Sequence, residues 1–173
     1  MSKTLIVIDM QNDFIDGALG TEEAKKIVPR VMQKIEQYRS EHHDIIFTAD
    51  SHSENYLSTP EGKALPIKHC ITFTDGWKIN SKLNTTDSRI LPKSTFGYVE
   101  WNRFYDFDFT TIEIIGLCTD ICVVSNALIL KNMFPDAKII VDASCCAGTT
   151  PEKHKAAIEV MKSCQIDIIG EEE

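Results

Sequence analysis

The sequence predicts an α/β fold: a three-layer sandwich with an open, mostly parallel sheet and helices on both faces. Three observations predict it. Apolar runs recur along the chain, among them TLIVID at Thr4–Asp9, DIIFTAD at Asp44–Asp50 and AKIIVD at Ala137–Asp142. Such unbroken runs suit strands buried on both faces. Segments with helical spacing lie between them, and strand–helix alternation gives a parallel sheet. The runs also end in acids or lead into polar residues, and ligands in such sheets bind beyond the carboxyl ends of the strands.

The chain has 173 residues, which fits a single domain over residues 1–173 with a sizeable core. Its net charge of −8 argues against nucleic acid or an anionic membrane as partner. No stretch is apolar for long enough to span a bilayer. The opening Met-Ser-Lys-Thr runs straight into a strand-like segment with no visible signal peptide, so a cytoplasmic location is expected. Six cysteines, with Cys145 and Cys146 adjacent, suit reduced thiols in that compartment.

In order, the first strand is Thr4–Asp9, followed by a loop-like stretch from Met10 to Gly20. Pro29 can open a helix, and Val31, Met32, Ile35 and Tyr38 then place one over Pro29–His42, with a possible helical turn over Glu22–Val28. Asp44–Asp50 is the second strand. Ser51–Asn84 has little periodicity, and a loop of that length is usually functional or disordered. Because it holds two of the five histidines and no low-complexity run, function is favoured. Arg89–Leu91 reads as a short strand before Pro92-Lys93, and Glu100–Tyr105 as a short helix. Thr111–Leu117 is a strand, its helix running on to Met133 before Pro135. Ala137–Asp142 is the next strand. Thr149 or Thr150 caps a helix that starts at Pro151, and Ile166–Ile169 is the last strand. Glu171–Glu173 reads as a solvated tail.

Four reactive groups fall just after strand-like runs and so belong on one rim: Asp9, Asp50, Lys93 and Cys122. Cys122 sits in the first turn of its helix, where free N–H groups and partial positive charge favour a thiolate. The plain alternative is a small buried hydrophobe. Asp9 is either a loop-capping acid or a general base for that thiol. Lys93 is either surface or a cation that holds Asp9 and lowers the thiol pKa. Asp50 and His52, two apart at a strand end, point to one side. With Glu61 and His69 downstream they suit zinc, iron or manganese, the alternative being a chance grouping of polar loop residues. Phe14, Phe96 and Tyr98 are candidate walls for an aromatic substrate or ordinary packing residues.

Four motifs in order, DMQNDF at Asp9–Phe14, DSH at Asp50–His52, PKSTF at Pro92–Phe96 and GLCTDICV at Gly116–Val123, resemble the isochorismatase-like cysteine hydrolases over nearly the whole chain. The resemblance implies a Rossmann-like isochorismatase fold and a catalytic triad of Asp9, Lys93 and Cys122. It also implies an oxyanion hole from the N–H groups of Cys118 and Cys122, after a cis Leu117–Cys118 bond. The Asp-x-His motif points to the metal-bearing nicotinamidase branch, with Asp50, His52, Glu61 and His69 as ligands of one divalent ion, zinc first. The implied reaction is hydrolysis of nicotinamide, with pyrazinamide as a further substrate, in NAD salvage. Relatives are often oligomers, so a homo-oligomer is expected. Other readings are another amidase of the same family acting on a carbamoyl or ureido compound, many such relatives having no metal, and a silent binding protein.

Overall fold

A computed structural model describes residues 3–104 and 106–171. Six parallel strands form one sheet in the order β3-β2-β1-β4-β5-β6. They are β1 (Thr4–Ile8), β2 (Asp44–Asp50), β3 (Arg89–Lys93), β4 (Thr111–Leu117), β5 (Lys138–Ala147) and β6 (Asp167–Ile169). The strand order reverses direction between β1 and β4, and a crevice opens there at the carboxyl ends. The two strands at that point carry Asp9 and the Cys118–Cys122 turn just beyond their ends.

The period-2 geometry of β1 sorts its side chains onto two cores. Leu5 and Val7 pack with Ile27, Val31 and Ile35 of α2 (Glu22–Ser40). Ile6 and Ile8 pack on the opposite side with Ala127 and Leu130 of α4 (Val124–Met133) and Ile158 and Met161 of α5 (Pro151–Ser163). Every residue of β1 is buried, which is why that segment reads as unbroken apolar sequence.

The structure departs from expectation in several places. α2 starts at Glu22 and passes through Pro29 without stopping. Thr21 caps it, its side chain accepting from the Ala24 N–H at 3.0 Å. Pro29 lies on the exposed face beside exposed Lys25, so the carbonyl that loses its N–H partner faces water. β3 runs on through Pro92 to Lys93, which an edge strand permits because proline's missing N–H falls on the open side. β5 runs five residues past Asp142. The long segment after β2 is organised, with a 3₁₀ turn at Tyr56–Ser58 and a short helix α3 (Pro60–Ala64). Another short helix, α1 (Asn12–Ile15), follows β1. Of the helix expected over Glu100–Tyr105, a 3₁₀ turn covers Trp101–Arg103, while Tyr105 is outside the described residues. The expected tail is outside them beyond Glu171, which itself bonds Lys162 at 2.8 Å.

Gly116 is required where it stands. Its φ is +121°, and a Cβ there would lie 2.1 Å from the Ile8 carbonyl oxygen. This lets β4 pack directly on β1 just before the chain turns into the site, where the β4–β5 register also shifts.

Candidate active site

Lys93 is the hub of the site. Its ammonium has three N–H donors, and three partners surround it: Asp9 Oδ2 at 2.6 Å, the Thr95 carbonyl at 3.1 Å and Cys122 Sγ at 3.5 Å. Asp50 Oδ1 stands a little farther off, at 3.7 Å. Asp9 is fully buried in the left-handed region (φ 45°), and its other oxygen accepts from the Thr48 hydroxyl at 2.6 Å. Such a conformation in a non-glycine residue persists only where its surroundings enforce it. Thr48 adds to that enforcement by accepting the Asp9 N–H at 3.2 Å.

Burial raises the Asp9 pKa, and although Lys93 pulls it back, the net shift is upward. Burial alone would lower the Lys93 pKa, but the charges of Asp9 and Cys122 outweigh it and raise it. The thiol differs from the sequence expectation. Burial and the Asp9 carboxylate push Cys122 well above its ordinary value, against the pull of Lys93. Helix-start and lysine arguments expect a low value, but they assume a turn open to water, and Cys122 is only 5% exposed. Burial beside Asp9 therefore disfavours the thiolate in this structure.

Cys122 lies in a π-helical turn, Thr119–Val123, that leads directly into α4. The Val123 N–H bonds back five residues to the Cys118 carbonyl at 3.1 Å. The Leu117–Cys118 peptide bond is cis. The Cys118 thiol is pushed up to about 12, chiefly by burial, so its side chain stays inert. Asn126, fully buried one turn on, donates to the Cys122 carbonyl at 2.8 Å and to the Phe96 carbonyl at 3.3 Å, and accepts from the Tyr98 N–H at 2.9 Å. It fastens the Cys122 turn to the loop after Lys93.

Beside Lys93 lies a second group. Asp50 Oδ2 is 2.8 Å from His52 Nε2 and 3.5 Å from His69 Nε2. Glu61 Oε1 is 3.6 Å from His52 Nε2 and 3.8 Å from His69 Nε2. Donor atoms about 2.1 Å from one tetrahedral ion lie roughly 3.4 Å from each other, so this set fits a divalent metal. Asp50, His52 and His69 form the tight, buried core of the set. Glu61 is its more open member. His69 Nδ1 is tied to the Ile67 carbonyl at 2.8 Å, which leaves Nε2 facing the cluster. Burial would raise the Asp50 pKa, but His52 and His69 outweigh it and hold it well below the usual carboxylate range.

Backbone pairing, not sequence proximity, brings His69 to His52. The His52 N–H bonds the Cys70 carbonyl, and the Thr72 N–H bonds the His52 carbonyl, each at 2.9 Å. Sequence reasoning missed the residue that locks this in place. Buried Gln11 accepts from the Asp50 N–H at 2.7 Å and donates to the carbonyls of Asp50 at 2.8 Å and Trp77 at 2.7 Å. Its position two residues after Asp9, within a polar motif, was the available signal.

Of the aromatic candidates, Phe14 is buried with its ring 5.6 Å from that of His69, and Phe96 is half exposed beyond Lys93. Tyr98 is partly buried against the second core, its ring edge-on to Trp101 at 5.0 Å and tilted to Phe104 at 6.1 Å. A cavity of about 530 Å³ opens beside the cluster, lined by His52, Tyr56, Glu61 and Ser94 among others.

A strand-end acid, a lysine and a cysteine in contact at the switch point of a parallel sheet define a class, and comparison with known families agrees. The isochorismatase domain model matches residues 3–173, and the chain belongs to the isochorismatase family. Within that family it is a nicotinamidase-like hydrolase of the amidase class. It is 27% identical to a nicotinamidase of Schizosaccharomyces pombe, over 98% of this chain and 93% of that one. It is 30% identical to a probable inactive nicotinamidase of Arabidopsis thaliana, over 92% of this chain and 87% of that one. The solved pyrazinamidase of Pyrococcus horikoshii in complex with zinc superposes with a TM-score of 0.82 at 28% identity, covering 98% of this chain and 99% of that one.

Proposed function

We propose that the protein hydrolyses nicotinamide to nicotinic acid and ammonia through a thioester on Cys122. The observation that carries this reading is Lys93. It joins Asp9 and Cys122 on one side and lies within 3.7 Å of the Asp50 cluster on the other. A nucleophile and a ring-anchoring site therefore share one crevice. The named activities of the relatives support the substrate class.

Asp9 takes the proton of the Cys122 thiol as sulfur attacks the amide carbon. Lys93 keeps the Asp9–Cys122 pair in register and balances its charge. The N–H groups of Cys118 and Cys122 receive the negative oxygen, a contribution of roughly 3–4 kcal/mol per donor in related acyl transfers. Asp9 returns its proton to the departing ammonia. Water then adds to the thioester carbon, with Asp9 again accepting a proton, and nicotinic acid leaves as the thiol is restored. Asp50, His52, His69 and Glu61 would hold a divalent ion, zinc by the preference of a mixed nitrogen–oxygen set. When bound, that ion supplies a Lewis-acidic point for the pyridine nitrogen. Phe14, its ring 5.6 Å from that of His69, and the half-exposed Phe96 would flank the substrate ring.

The test is ammonia release from nicotinamide and pyrazinamide by the wild type and by Cys122→Ala. The expected result is turnover of both amides by the wild type and none by the variant. Full activity in the variant refutes the thioester. Turnover of a carbamoyl or ureido compound in preference to both amides supports the rival amidase instead. A properly folded wild type with no turnover on any of these compounds supports the silent reading, for which the relative named as a probable inactive nicotinamidase is a parallel.

A further inference from the structure

Two consecutive residues of the turn that carries Cys122 are tied to the start of α5. Thr119, the first residue of that turn, is fully buried, and its Oγ1 lies 2.7 Å from Nδ1 of the half-buried His154. Asp120 accepts both the N–H and the hydroxyl of Thr149, at 2.8 Å and 2.7 Å, just ahead of the helix. The start of α5 is itself pinned close to the sheet. A Cβ at Gly148 would stand 2.7 Å from the His154 nitrogen and 2.9 Å from its Cα, so glycine is what lets the chain leaving β5 pass so near this turn of α5. The direction of the His154 bond follows from donor counting. A hydroxyl has one proton to donate, and buried donors are paired. Among the described residues, His154 Nδ1 is the side-chain partner of the Thr119 hydroxyl. Thr119 therefore donates and a neutral imidazole accepts. Burial lowers the His154 pKa, with Lys155 adding to that and Asp120 and Glu171 opposing it, which keeps the ring in its accepting form at neutral pH.

We propose that His154 is a positioning residue: it holds the Thr119 hydroxyl and, through it, the backbone of the turn that presents the Cys118 and Cys122 N–H groups to the substrate oxygen. Thr119 stands between those two donors in the chain, directly after Cys118. The Val123 N–H, bonded to the Cys118 carbonyl at 3.1 Å, closes the turn and so reports whether it stays shut. Backbone donors aimed at a developing oxyanion act in the transition state more than on bound substrate. Loss of the contact should therefore slow the chemical step and leave substrate binding unchanged. The inference rests on the oxyanion hole of the proposed reaction, and the experiment separates the two.

Amide hydrogen exchange and steady-state kinetics are compared in the wild type, His154→Leu, His154→Asn and Thr119→Val. The asparagine oxygen occupies the branch position of Nδ1 and can accept the Thr119 proton, whereas leucine cannot. His154→Leu and Thr119→Val should each speed exchange at the Val123 amide about tenfold or more, with Ile6 of β1 unchanged. His154→Asn should restore the wild-type rate. The kcat for nicotinamide should fall about 10–100-fold in His154→Leu and in Thr119→Val at an unchanged KM. The double variant should lose no more than either single one, because both remove the same contact, and His154→Asn should recover most of the loss. The positioning role is overturned by wild-type exchange at Val123 in His154→Leu, by an equal rise at Ile6, by a loss carried in KM, or by losses that multiply in the double variant. A wild type that turns over no amide, with Val123 responding as expected, refutes the reaction and supports the anchoring of the turn by His154.

Discussion

Asp9 shows how one residue's surroundings set its chemistry. Because burial raises its pKa, its protonated form is favoured by the fold, and ionising it costs stability as pH rises from the unfolded value of 3.8 through the higher folded value. That same shift moves it toward the range where a base can exchange protons near neutrality. The proposed reaction needs Asp9 ionised in the free enzyme. The kcat/KM for nicotinamide should therefore fall on the acid side with an apparent pKa above the ordinary carboxylate range. Asp9→Asn should lower kcat/KM by about 10²–10⁴-fold and abolish that limb in whatever activity remains. A pH profile of both proteins checks this, and an unchanged limb in the variant assigns it to another group. The Cys122 thiol illustrates the limit of residue-level reading. Its position at a helix start was legible in GLCTDICV, but its burial beside Asp9 was not, and burial reversed the expected direction of its shift.

At the scale of elements, the turn after β1 organises the Asp50–His52–His69 cluster. Gln11 grips both backbone groups of Asp50, the Asn12 side chain donates to the Asp75 carbonyl at 2.8 Å, and Asp13 accepts from the Cys70 N–H at 2.7 Å. Three consecutive side chains thus fix the segment that carries His69. Outer contacts of this kind orient metal ligands, and losing one typically costs about 10–100-fold in affinity. Gln11→Leu, which keeps the size but removes three buried hydrogen bonds, should weaken zinc binding by about that factor. Equilibrium dialysis against a competing chelator measures it, and wild-type affinity in the variant removes Gln11 from this role. The DMQNDF motif was visible in the sequence, yet only its ends received roles. The partners of its middle residues lie about forty to seventy positions away, and no local periodicity announces them. The unperiodic Ser51–Asn84 segment was hard to read for the same reason: its order comes from backbone hydrogen bonds to α1 and between His52 and the Cys70–Thr72 stretch rather than from a local periodicity.

Across the whole molecule, one buried charge cluster ties the layers together. Lys34 of α2 reaches Glu113 of β4 at 2.6 Å and Asp142 of β5 at 2.8 Å, and the Tyr38 hydroxyl donates to Glu113 at 2.6 Å. Removing one partner of such a group strands the others. Lys34→Met should lower the unfolding free energy by about 3 kcal/mol, measured by urea denaturation, and a loss under 1 kcal/mol contradicts this account of the cluster. The pH sign follows from Asp142. Burial would raise its pKa, but Lys34 and Ser144 outweigh that and lower it. Its stabilisation is therefore present above the unfolded carboxylate value and lost as pH falls through the folded one. That acid-side dependence should shrink in the variant. Among the described residues no helix is long and apolar enough to cross a membrane.

The sequence by itself determined the layers and the reactive groups. Unbroken apolar runs can be satisfied only by strands covered on both faces, and strand–helix alternation then makes those strands parallel. A parallel sheet gathers every strand-end acid, lysine and thiol on one rim, so Asp9, Asp50, Lys93 and Cys122 were legible from position alone. Four ordered motifs added the family. Tertiary structure decided what depends on distance and dielectric: the continuation of α2 through an exposed Pro29, the folding of His69 onto His52, the packing of Tyr98 against Trp101, and the upward shift of the Cys122 thiol. Each rests on a partner far away in the chain or on exclusion of water, and neither is encoded in the local order of residues.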